Sequence, residues 1–262
     1  MKINKLPTCF VLILLLFISL SAKVSDKKPE YYRLTIYSFT DAAQEKIVDQ
    51  YLEKAYLPAL HRKGIQTIGV FKPVANDTAN IKIIYVLAPF KNLEQVKDLP
   101  VQLLKDKEYT ETGKEYLDAL YNNLPYRRIE NILMQAFNMA PAMQLPKLTS
   151  PKTERIYELR SYESPTEKLN INKVKMFNEG GEIALFKRLN FNAIFYAEVI
   201  AGSHMPNLMY MTSFENKNDR DAHWKAFGES PEWKNLTSSP EYQHNVSRAE
   251  VILTKATLYS DY

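Results

Sequence analysis

A short segment of alternating polar and apolar residues, YELRSY at 157–162, carries the side chains best suited to chemistry. In a β-strand alternate side chains share a face, so Glu158, Arg160 and Tyr162 lie together and Leu159 lies opposite. We expect Leu159 to lie beneath helices, which turns the polar trio toward a space between two sheets. There the planar guanidinium of Arg160 could bind a carboxylate or another anion through two parallel hydrogen bonds.

A structural ion pair is the alternative for Arg160, with Glu158 or with Glu198 on the predicted neighbouring strand as its partner. Tyrosines extend the same predicted site, because their rings are apolar and their hydroxyls can donate or accept. The chain has 17 tyrosines, and those on predicted strands include Tyr37, Tyr85, Tyr162, Tyr196 and Tyr210. Packing between two sheets is the alternative role for them. The predicted ligand-binding set is Glu158, Arg160, Tyr162, Tyr196 and Tyr210.

The histidines indicate no metal site. None of the four has a partner at the spacing of zinc ligands: His61, His204, His223 and His244. His204 stands near three methionines, a combination that suits a soft metal, although core packing also explains the methionines. His223 beside Trp224 is a candidate acid–base group or haem ligand, with a half-exposed helix position as the alternative. We therefore predict no metal and no cofactor, and we assign no catalytic residue.

Charge and motifs exclude two further classes of function. The chain has 34 Lys and Arg against 30 Asp and Glu, and its basic residues form no stripe with interleaved aromatics, so nucleic-acid binding is not expected. It has only 7 glycines and no phosphate-binding loop, GxSxG or HExxH sequence, which disfavours nucleotide-dependent chemistry.

The first 21 residues form a predicted signal peptide. Lys2 and Lys5 precede an uncharged apolar run from Cys9 to Leu20, and small residues follow. The run is shorter than the roughly 20 apolar residues that span a bilayer, so export is favoured over a single membrane anchor. Cys9 is the only cysteine, so the mature chain has no thiol and no disulfide. We expect a periplasmic or extracellular protein that is free of the membrane after cleavage.

The chain repeats itself at an offset of 125 residues, which divides it into two copies. The offset places the segment YYRLTIYSF on IYELRSYES, and it places Tyr85 on Tyr210. Near the end the offset falls to 120, where RIE at 128–130 corresponds to RAE at 248–250. Each copy is about a hundred residues long, so the repeat indicates two small domains.

Both copies show the element order β-α-β-β-α-β, which is that of a ferredoxin-like unit. In the second copy we predict strands at 155–162, 191–200, 207–214 and 247–258, and helices at 168–188 and 218–227. The proline-containing stretch 231–240 is predicted as a loop. In the first copy the corresponding elements, with one additional helix, are 31–39, 41–63, 67–72, 81–87, 93–104, 111–122 and 127–137.

One sheet face of such a unit carries no helices and must be buried. We therefore predict an α+β fold, in which two tandem ferredoxin-like units, 30–137 and 154–262, pack sheet to sheet as a pseudo-dimeric α/β barrel. Residues 138–153 contain three prolines and form the predicted linker. Such a barrel is complete within one chain, so we expect a monomer with an internal pseudo-dimer, and a homodimer is optional.

The second copy resembles the NIPSNAP family in the order of its motifs. It carries YELRSY at 157–162, an Asp-Arg pair at 219–220 and SPEW at 230–233, whereas the first copy keeps only the skeleton. Many members have a histidine on the third strand, where this chain has Tyr210 and Tyr85. The resemblance implies the dimeric α/β barrel fold, which is shared with small monooxygenases and haem-handling proteins, and it implies no particular reaction.

The leading hypothesis is an exported NIPSNAP-like protein of undefined biochemical role. We expect it to bind a small ligand or a protein partner in the cavity between its sheets, as a binding protein more than as an enzyme. The alternative is a cofactor-independent monooxygenase or a haem-binding enzyme of the same barrel superfamily, by analogy of fold. A third, structural hypothesis is that the first copy merely covers the sheet of the second.

Overall fold

The computed structural model describes residues 28–262, so the predicted signal peptide at 1–21 lies outside the described residues. Within this range eight antiparallel strands close into one barrel. The strands are β1 (Tyr31–Phe39), β2 (Gly69–Pro73), β3 (Lys82–Phe90), β4 (Arg128–Ala136), β5 (Ile156–Glu163), β6 (Phe195–Ala201), β7 (Asn207–Phe214) and β8 (Arg248–Ala256). The predicted α+β class and the barrel are therefore confirmed.

The barrel closes because the edges of its two halves are hydrogen-bonded to each other. The strand order around it is β1-β3-β2-β8-β5-β7-β6-β4. Strands β1 to β4 form the first half and β5 to β8 the second, with β2 paired to β8 and β4 paired to β6. Each described strand thus has two neighbours, which removes the open edges through which sheets associate.

Helices run between the strands and pack on the outside of the barrel. They are α1 (Ala42–Tyr51), α2 (Leu57–Arg62), α3 (Leu93–Leu104), α4 (Lys107–Thr112), α5 (Lys114–Leu117), α6 (Glu167–Asn178), α7 (Glu182–Arg188), α8 (Lys217–Glu229) and α9 (Pro231–Ser238). A π-helical turn, Leu52–Tyr56, joins α1 to α2 within the predicted helix 41–63. None of the described helices has the length and apolar character needed to cross a membrane.

Three apolar cores hold these layers together. The barrel interior is filled by strand residues of both halves, such as Leu34 and Leu159. A second core, which includes Leu99, lies between the sheet and the helices of the first half. The third, which includes Phe186 and Phe227, lies between the sheet and the helices of the second half.

Polar caps and a glycine fix where several helices begin. Asp41, Asn92, Thr166 and Asn216 each accept a hydrogen bond from the backbone N–H three residues later, which satisfies a donor of the first turn. The predicted helix at 168–188 is divided into α6 and α7 because Gly181 adopts a left-handed φ of 95°. A residue without a Cβ adopts that conformation at little cost.

Two predictions of local structure were wrong. The stretch 231–240 is largely helical, because Pro231 occupies the first position of α9, where its missing N–H leaves no hydrogen bond unmade. Ser230 Oγ accepts the N–H of Trp233 and so caps that helix. The additional helix of the first half is α4 and α5, which begin after Asp106 and end before the predicted 111–122 does.

Strand pairing gives an offset between β3 and β7 that is one residue smaller than the 125 found in the sequence. Ile36 of β1 lies opposite Tyr85, and its counterpart Ser161 of β5 lies opposite Met209. The position that matches Tyr85 is therefore Met209 and not Tyr210, as the offset of 125 had predicted. Because a shift of one residue turns a side chain to the other face, Tyr85 lies in the barrel interior and Tyr210 packs against helices.

The predicted linker, 138–153, contains no helix or strand in the described structure and makes contacts with both halves. The backbone N–H of Met143 donates to the carboxylate of Glu30 at 2.9 Å, and that of Ser150 donates to Glu215 at 2.7 Å. The segment is therefore held against the surface at both of its ends.

Tyr262, in the segment after β8, fills one end of the barrel interior. It is 2% exposed, and its ring centroid lies 5.7 Å from that of Phe71 and 6.3 Å from that of Tyr157. The preceding side chains of Ser260 and Asp261 accept backbone N–H groups in and just before β2. Packing and hydrogen bonding thus place this ring in the interior core.

Tyr262→Ala is expected to lower the free energy of unfolding by about 3 kcal/mol, because it leaves a cavity in the core. Tyr262→Phe should stay within about 1 kcal/mol of the unsubstituted protein, since the Tyr262 hydroxyl has no hydrogen-bond partner among the described residues. Leu258→Ala, at a residue that is 78% exposed, is the surface control. Urea denaturation measures all three, and equal losses for Tyr262→Ala and Leu258→Ala would contradict this packing.

Candidate functional site

The structure brings the five predicted ligand-binding residues together on the outer face of the second half. Arg160 of β5 lies opposite Tyr210 of β7, and Tyr210 lies opposite Tyr196 of β6. Glu158 and Tyr162 flank Arg160 on the same face of β5. Three adjacent strands therefore carry these side chains as one polar patch beneath helices.

The predicted orientation of this patch was wrong. Leu159 points into the barrel interior, whereas Glu158 is hydrogen-bonded to side chains of α8. The physical reason is that the closed interior is filled by apolar side chains, so a carboxylate there would have no partner. Helix α8 supplies those partners on the opposite face. The patch therefore does not line the space between the two sheets.

Glu158 is the centre of the patch. It is 0% exposed and accepts hydrogen bonds from Arg160 Nε, from Arg220 Nε and Nη2, and from Trp224 Nε1 at 2.8 Å. Burial acts to raise the pKa of Glu158, but the two guanidinium groups and the indole N–H outweigh it and hold that pKa below its ordinary value. The ion pair considered as the alternative for Arg160 is present.

The other surfaces of Arg160 are covered as well. Its guanidinium carbon lies 3.7 Å from the centre of the Trp224 ring, a cation–π contact. Its Nη1 donates to the hydroxyl of Tyr162 at 2.9 Å, and that hydroxyl lies 2.8 Å from the hydroxyl of Tyr210. We call Glu158, Arg160, Tyr162, Tyr210, Arg220 and Trp224 the helix-facing network. Its members bond to one another, and a role for them in binding a ligand stays a prediction.

A second buried charge pair lies beside this network. Lys173 Nζ is 2.9 Å from Glu182 Oε2, and the two side chains are 3% and 1% exposed. Burial raises the pKa of Glu182, while the Lys173 ammonium opposes that shift. Glu198, the other partner considered for Arg160, accepts a hydrogen bond from Asn170 Nδ2 at 2.8 Å instead. The space beneath α6 and α7 is thus also occupied by paired side chains.

Three of the four histidines, His61, His204 and His223, lie within hydrogen-bond distance of neighbouring polar groups. His223 Nδ1 lies 2.8 Å from the carbonyl oxygen of Asp219, and its ring packs on two phenylalanines. His204 Nδ1 lies 3.1 Å from Glu163 Oε1. Two of the methionines near His204 in sequence, on β7, belong to the barrel interior. Within residues 28–262 no three His, Cys, Asp or Glu side chains converge as metal ligands would.

A pocket opens at one end of the barrel, between the two halves. It encloses about 190 Å³ and is lined by β1, β3, β4, β5, β6, β7, β8 and the turn between β6 and β7. Its walls are largely apolar: Ile36, Ile83, Ile132, Leu159, Val199, Met209 and Ile252. We call it the barrel-end pocket. A cavity between the sheets was predicted at this place. None of the five predicted ligand-binding residues lines it.

Two carboxylates line the barrel-end pocket from opposite sides. Glu130 of β4 lies opposite Ile36 of β1, and Glu250 of β8 lies opposite Ser161 of β5, so the two glutamates hold equivalent positions in the two halves. Strands β4 and β8 are four places apart in the eight-stranded barrel. No lysine or arginine is among the lining residues.

The other polar groups of the pocket include donors as well as an acceptor, and Ser203 Oγ donates to Glu130 Oε1 at 2.6 Å. Asn207 is 2% exposed and donates through Nδ2 to Ser161 Oγ at 2.9 Å, while its Oδ1 has no hydrogen-bond partner among the described residues. Burial, together with the carboxylates of Glu250 and Glu130, raises the pKa of Tyr85 to about 12, so its hydroxyl stays protonated at neutral pH. The pocket thus combines an apolar wall with carboxylate and amide oxygens that lack a cationic partner.

Sequence reasoning did not select Glu130, Glu250 or Asn207. The repeat contained part of the signal, because RIE at 128–130 and RAE at 248–250 place glutamates at matching positions of the two copies. The sequence does not show that barrel closure brings β4 and β8 to the same opening. The barrel-end pocket forms only when the eight strands close into a barrel.

One known family matches part of the chain. Residues 157–261 match the NIPSNAP family, so the resemblance stated for the second copy is confirmed, and that copy is the better matched one. No curated protein matches the sequence.

Three solved structures are similar to this chain. A candidate monooxygenase from Lactobacillus acidophilus NCFM is 10% identical, with a TM-score of 0.57 over 87% of this chain and 94% of that one. An anthrone oxidase-like protein is 9% identical, with a TM-score of 0.50 over 89% and 93%. A NIPSNAP family protein from Agrobacterium tumefaciens str. C58 is 21% identical, with a TM-score of 0.37 over 41% and 98%. The first two likenesses concern the fold alone.

Glu158→Gln is expected to lower the free energy of unfolding at pH 7 by about 3 kcal/mol, because it leaves two guanidinium groups without their carboxylate. Glu241→Gln is the matched control, since Glu241 pairs with Lys175 at 2.7 Å but its side chain is 50% exposed. The control should cost less than about 1 kcal/mol. Urea denaturation of both variants measures the contrast, and equal costs would show that the helix-facing network does not stabilise the fold.

The cost of Glu158→Gln should also depend on pH. The folded pKa of Glu158 lies below its ordinary value of 4.5, so the unfolded chain binds this proton first as the pH falls. The stability that the carboxylate contributes is complete above about pH 4.5 and is lost as the pH falls through the lower folded pKa. The difference in unfolding free energy between the two proteins should therefore shrink below that pH. A difference that stayed constant down to pH 3 would contradict the assignment.

Proposed function

We propose that this chain is an exported binding protein, built from two tandem ferredoxin-like units, that holds a small amphipathic cation in its barrel-end pocket. The observation that carries the proposal is the meeting of Glu130 and Glu250 with an unpartnered amide oxygen of Asn207 in one apolar pocket. A primary amine with a short apolar body matches this set of groups. The first 21 residues support export, and N-terminal sequencing of the mature chain checks it.

The two-unit architecture is supported by topology. Each half has the element order β-α-β-β-α-β. The strand order is β4-β1-β3-β2 in the first half and β8-β5-β7-β6 in the second, so the fourth, first, third and second strands follow one another in both. Two units that share element order and strand order are the simplest source of this barrel.

The electrostatics of the pocket favour a cation. The lining residues include two carboxylates and no basic group other than His204, which is already close to Glu163. A ligand ammonium could donate to a carboxylate and to Asn207 Oδ1 at once, and charge-assisted hydrogen bonds of this kind are the strong ones. An anionic ligand would meet two carboxylates of like charge. The two glutamates that line the pocket therefore favour a ligand with a positive charge.

The dimensions limit the ligand as well. A volume of about 190 Å³ is below that of pockets for drug-sized ligands, roughly 300 to 1,000 Å³. The isoleucine, leucine and valine side chains provide an apolar wall for a short hydrocarbon body. The proposal thus concerns molecules of the size of a simple alkylamine.

Oxygenase chemistry is the alternative on fold grounds. The likeness to the Lactobacillus acidophilus protein concerns the fold, and folds of this kind host unrelated functions. Among the described residues we find no side-chain arrangement that favours oxygenase chemistry over ligand binding.

Hexylamine is expected to bind the mature protein more tightly than hexanol, which has the same apolar body without the charge. Glu130→Gln and Glu250→Gln should each weaken hexylamine binding about tenfold or more, because each removes a charge-assisted contact. Isothermal titration calorimetry measures these affinities. Glu154→Gln, at an exposed glutamate away from the pocket, should bind hexylamine as the unsubstituted protein does.

Two results would overturn this function. The first is equal affinity for hexylamine and hexanol. The second is hexylamine binding that survives both glutamine substitutions, which would place the amine elsewhere on the protein. Thermal melting of each variant establishes that it is folded before titration.

A further inference from the structure

A second pocket lies between the sheet and the helices of the first half, on the opposite face of the sheet from the barrel interior. It encloses about 280 Å³. Strand β1 contributes Arg33 and Thr35 to it, and the helices contribute Tyr56, Leu99 and Leu103, among others. We call it the first-half pocket. The proposed amine site does not share any lining residue with it.

Arg33 is the only charged residue that lines the first-half pocket. Its Nη2 donates to the hydroxyl of Tyr56, and its guanidinium lies 5.3 Å from the centre of the Phe90 ring. Its Nε is buried and has no hydrogen-bond partner in the described part of the chain. None of the ion pairs between described residues includes Arg33. A guanidinium with a buried, unsatisfied N–H is costly unless an acceptor reaches it.

The second half shows what such a position requires. Arg33 lies opposite Ala88 of β3 and Leu133 of β4, and Glu158 lies opposite the matching residues of β7 and β8. The side chains of Arg33 and Glu158 therefore hold equivalent positions in the two halves and carry opposite charges. Glu158 is surrounded by guanidinium groups, whereas Arg33 has no carboxylate beside it. In the first half the carboxylate is the missing component.

The helices differ at the corresponding point. Helices α3 and α8 both follow an asparagine cap, and their eighth residues are Pro100 and Trp224. Trp224 covers Arg160 and donates to Glu158, so it fills the space beneath α8. Pro100 is much smaller and lines the first-half pocket. The first-half pocket is therefore open at the position that the indole ring of Trp224 fills in the second half.

We propose that the first-half pocket binds a small carboxylic acid with an aromatic or aliphatic body, whose carboxylate accepts hydrogen bonds from Arg33. The planar fork of a guanidinium matches a carboxylate through two parallel hydrogen bonds. The ligand thereby supplies to Arg33 the group that Glu158 supplies within the second half. The rings of Tyr51 and Tyr56 and the side chains of Leu99 and Leu103 enclose the body of the acid.

A monocarboxylate fits this site better than a phosphate does. One guanidinium balances one negative charge, and no lysine or second arginine lines the pocket to balance another. The remaining lining residues are mostly tyrosine, leucine, isoleucine and proline, which favour an organic body over a hydrated inorganic ion. The two polar ones, Thr35 and Asn131, are hydrogen-bonded to each other at 2.7 Å. The chemistry of the walls thus selects an amphipathic monoanion.

The test compares 3-phenylpropionate with 3-phenylpropanamide, which differ in charge and share their shape. Calorimetric titration of the mature protein should show binding of the acid that is at least tenfold tighter than that of the amide. Arg33→Gln should weaken acid binding about tenfold or more and leave amide binding unchanged. Equal binding of acid and amide to the unsubstituted protein would overturn the proposal.

A second variant keeps the proposal testable if Arg33→Gln does not fold. Pro100→Trp leaves Arg33 in place and puts an indole ring where the second half has one, so it should abolish binding of 3-phenylpropionate. It also removes a proline from a helix interior, which favours folding. If 3-phenylpropionate binds Pro100→Trp as tightly as it binds the unsubstituted protein, the acid lies elsewhere and the proposal fails.

Discussion

Hydrogen bonds between β2 and β8 and between β4 and β6 join the two halves, and they turn alternate residues of eight strands into one enclosed interior. An interior of this kind is packed with side chains and admits little else. Polar side chains of the strands consequently lie either on the helix-facing side of the sheet or at the ends of the barrel. The helix-facing network takes the first place, and Glu130 and Glu250 take the second.

The family motifs of the second half are explained by this constraint. Glu158 belongs to the YELR segment and lies on the face of β5 that the helices cover. Without donors from α8 it would be a buried carboxylate that lacks hydrogen bonds. Arg220 of the Asp-Arg pair and Trp224 both donate to it. Asp219 accepts the backbone N–H of Glu215 and so helps to begin α8, the helix that carries those donors. Motif residues that are far apart in sequence thus serve one buried charge.

Much of this architecture could be predicted from the sequence, because strands and helices leave local patterns. Strand β1, strand β7 and helix α3 lie where alternation and periodicity place them. The face of β5 could not be predicted in this way. Alternation shows that Glu158 and Leu159 lie on opposite faces, but it does not show which face is covered by helices.

The pockets were harder to predict because they depend on differences between the halves. An offset of 125 places Tyr85 on Tyr210, whereas the hydrogen-bonded register places Met209 at the position equivalent to Tyr85. Likewise, a repeat suggests that both halves carry the same site. Arg33 and Pro100 replace Glu158 and Trp224, so the same backbone positions hold an open cavity in one half and a closed network in the other.

The register of β1 and β4 also keeps opposite charges apart. Arg33 projects to the helix side of the first sheet, and Glu130 projects to the barrel end on its other side. Because strand side chains alternate, a slip of one residue in either strand would bring a guanidinium and a carboxylate to the same face of the sheet. The native register is favoured because such a slip would expose the interior residues Leu34 and Ile132. The apolar core therefore holds two charges of opposite sign on opposite faces of one sheet.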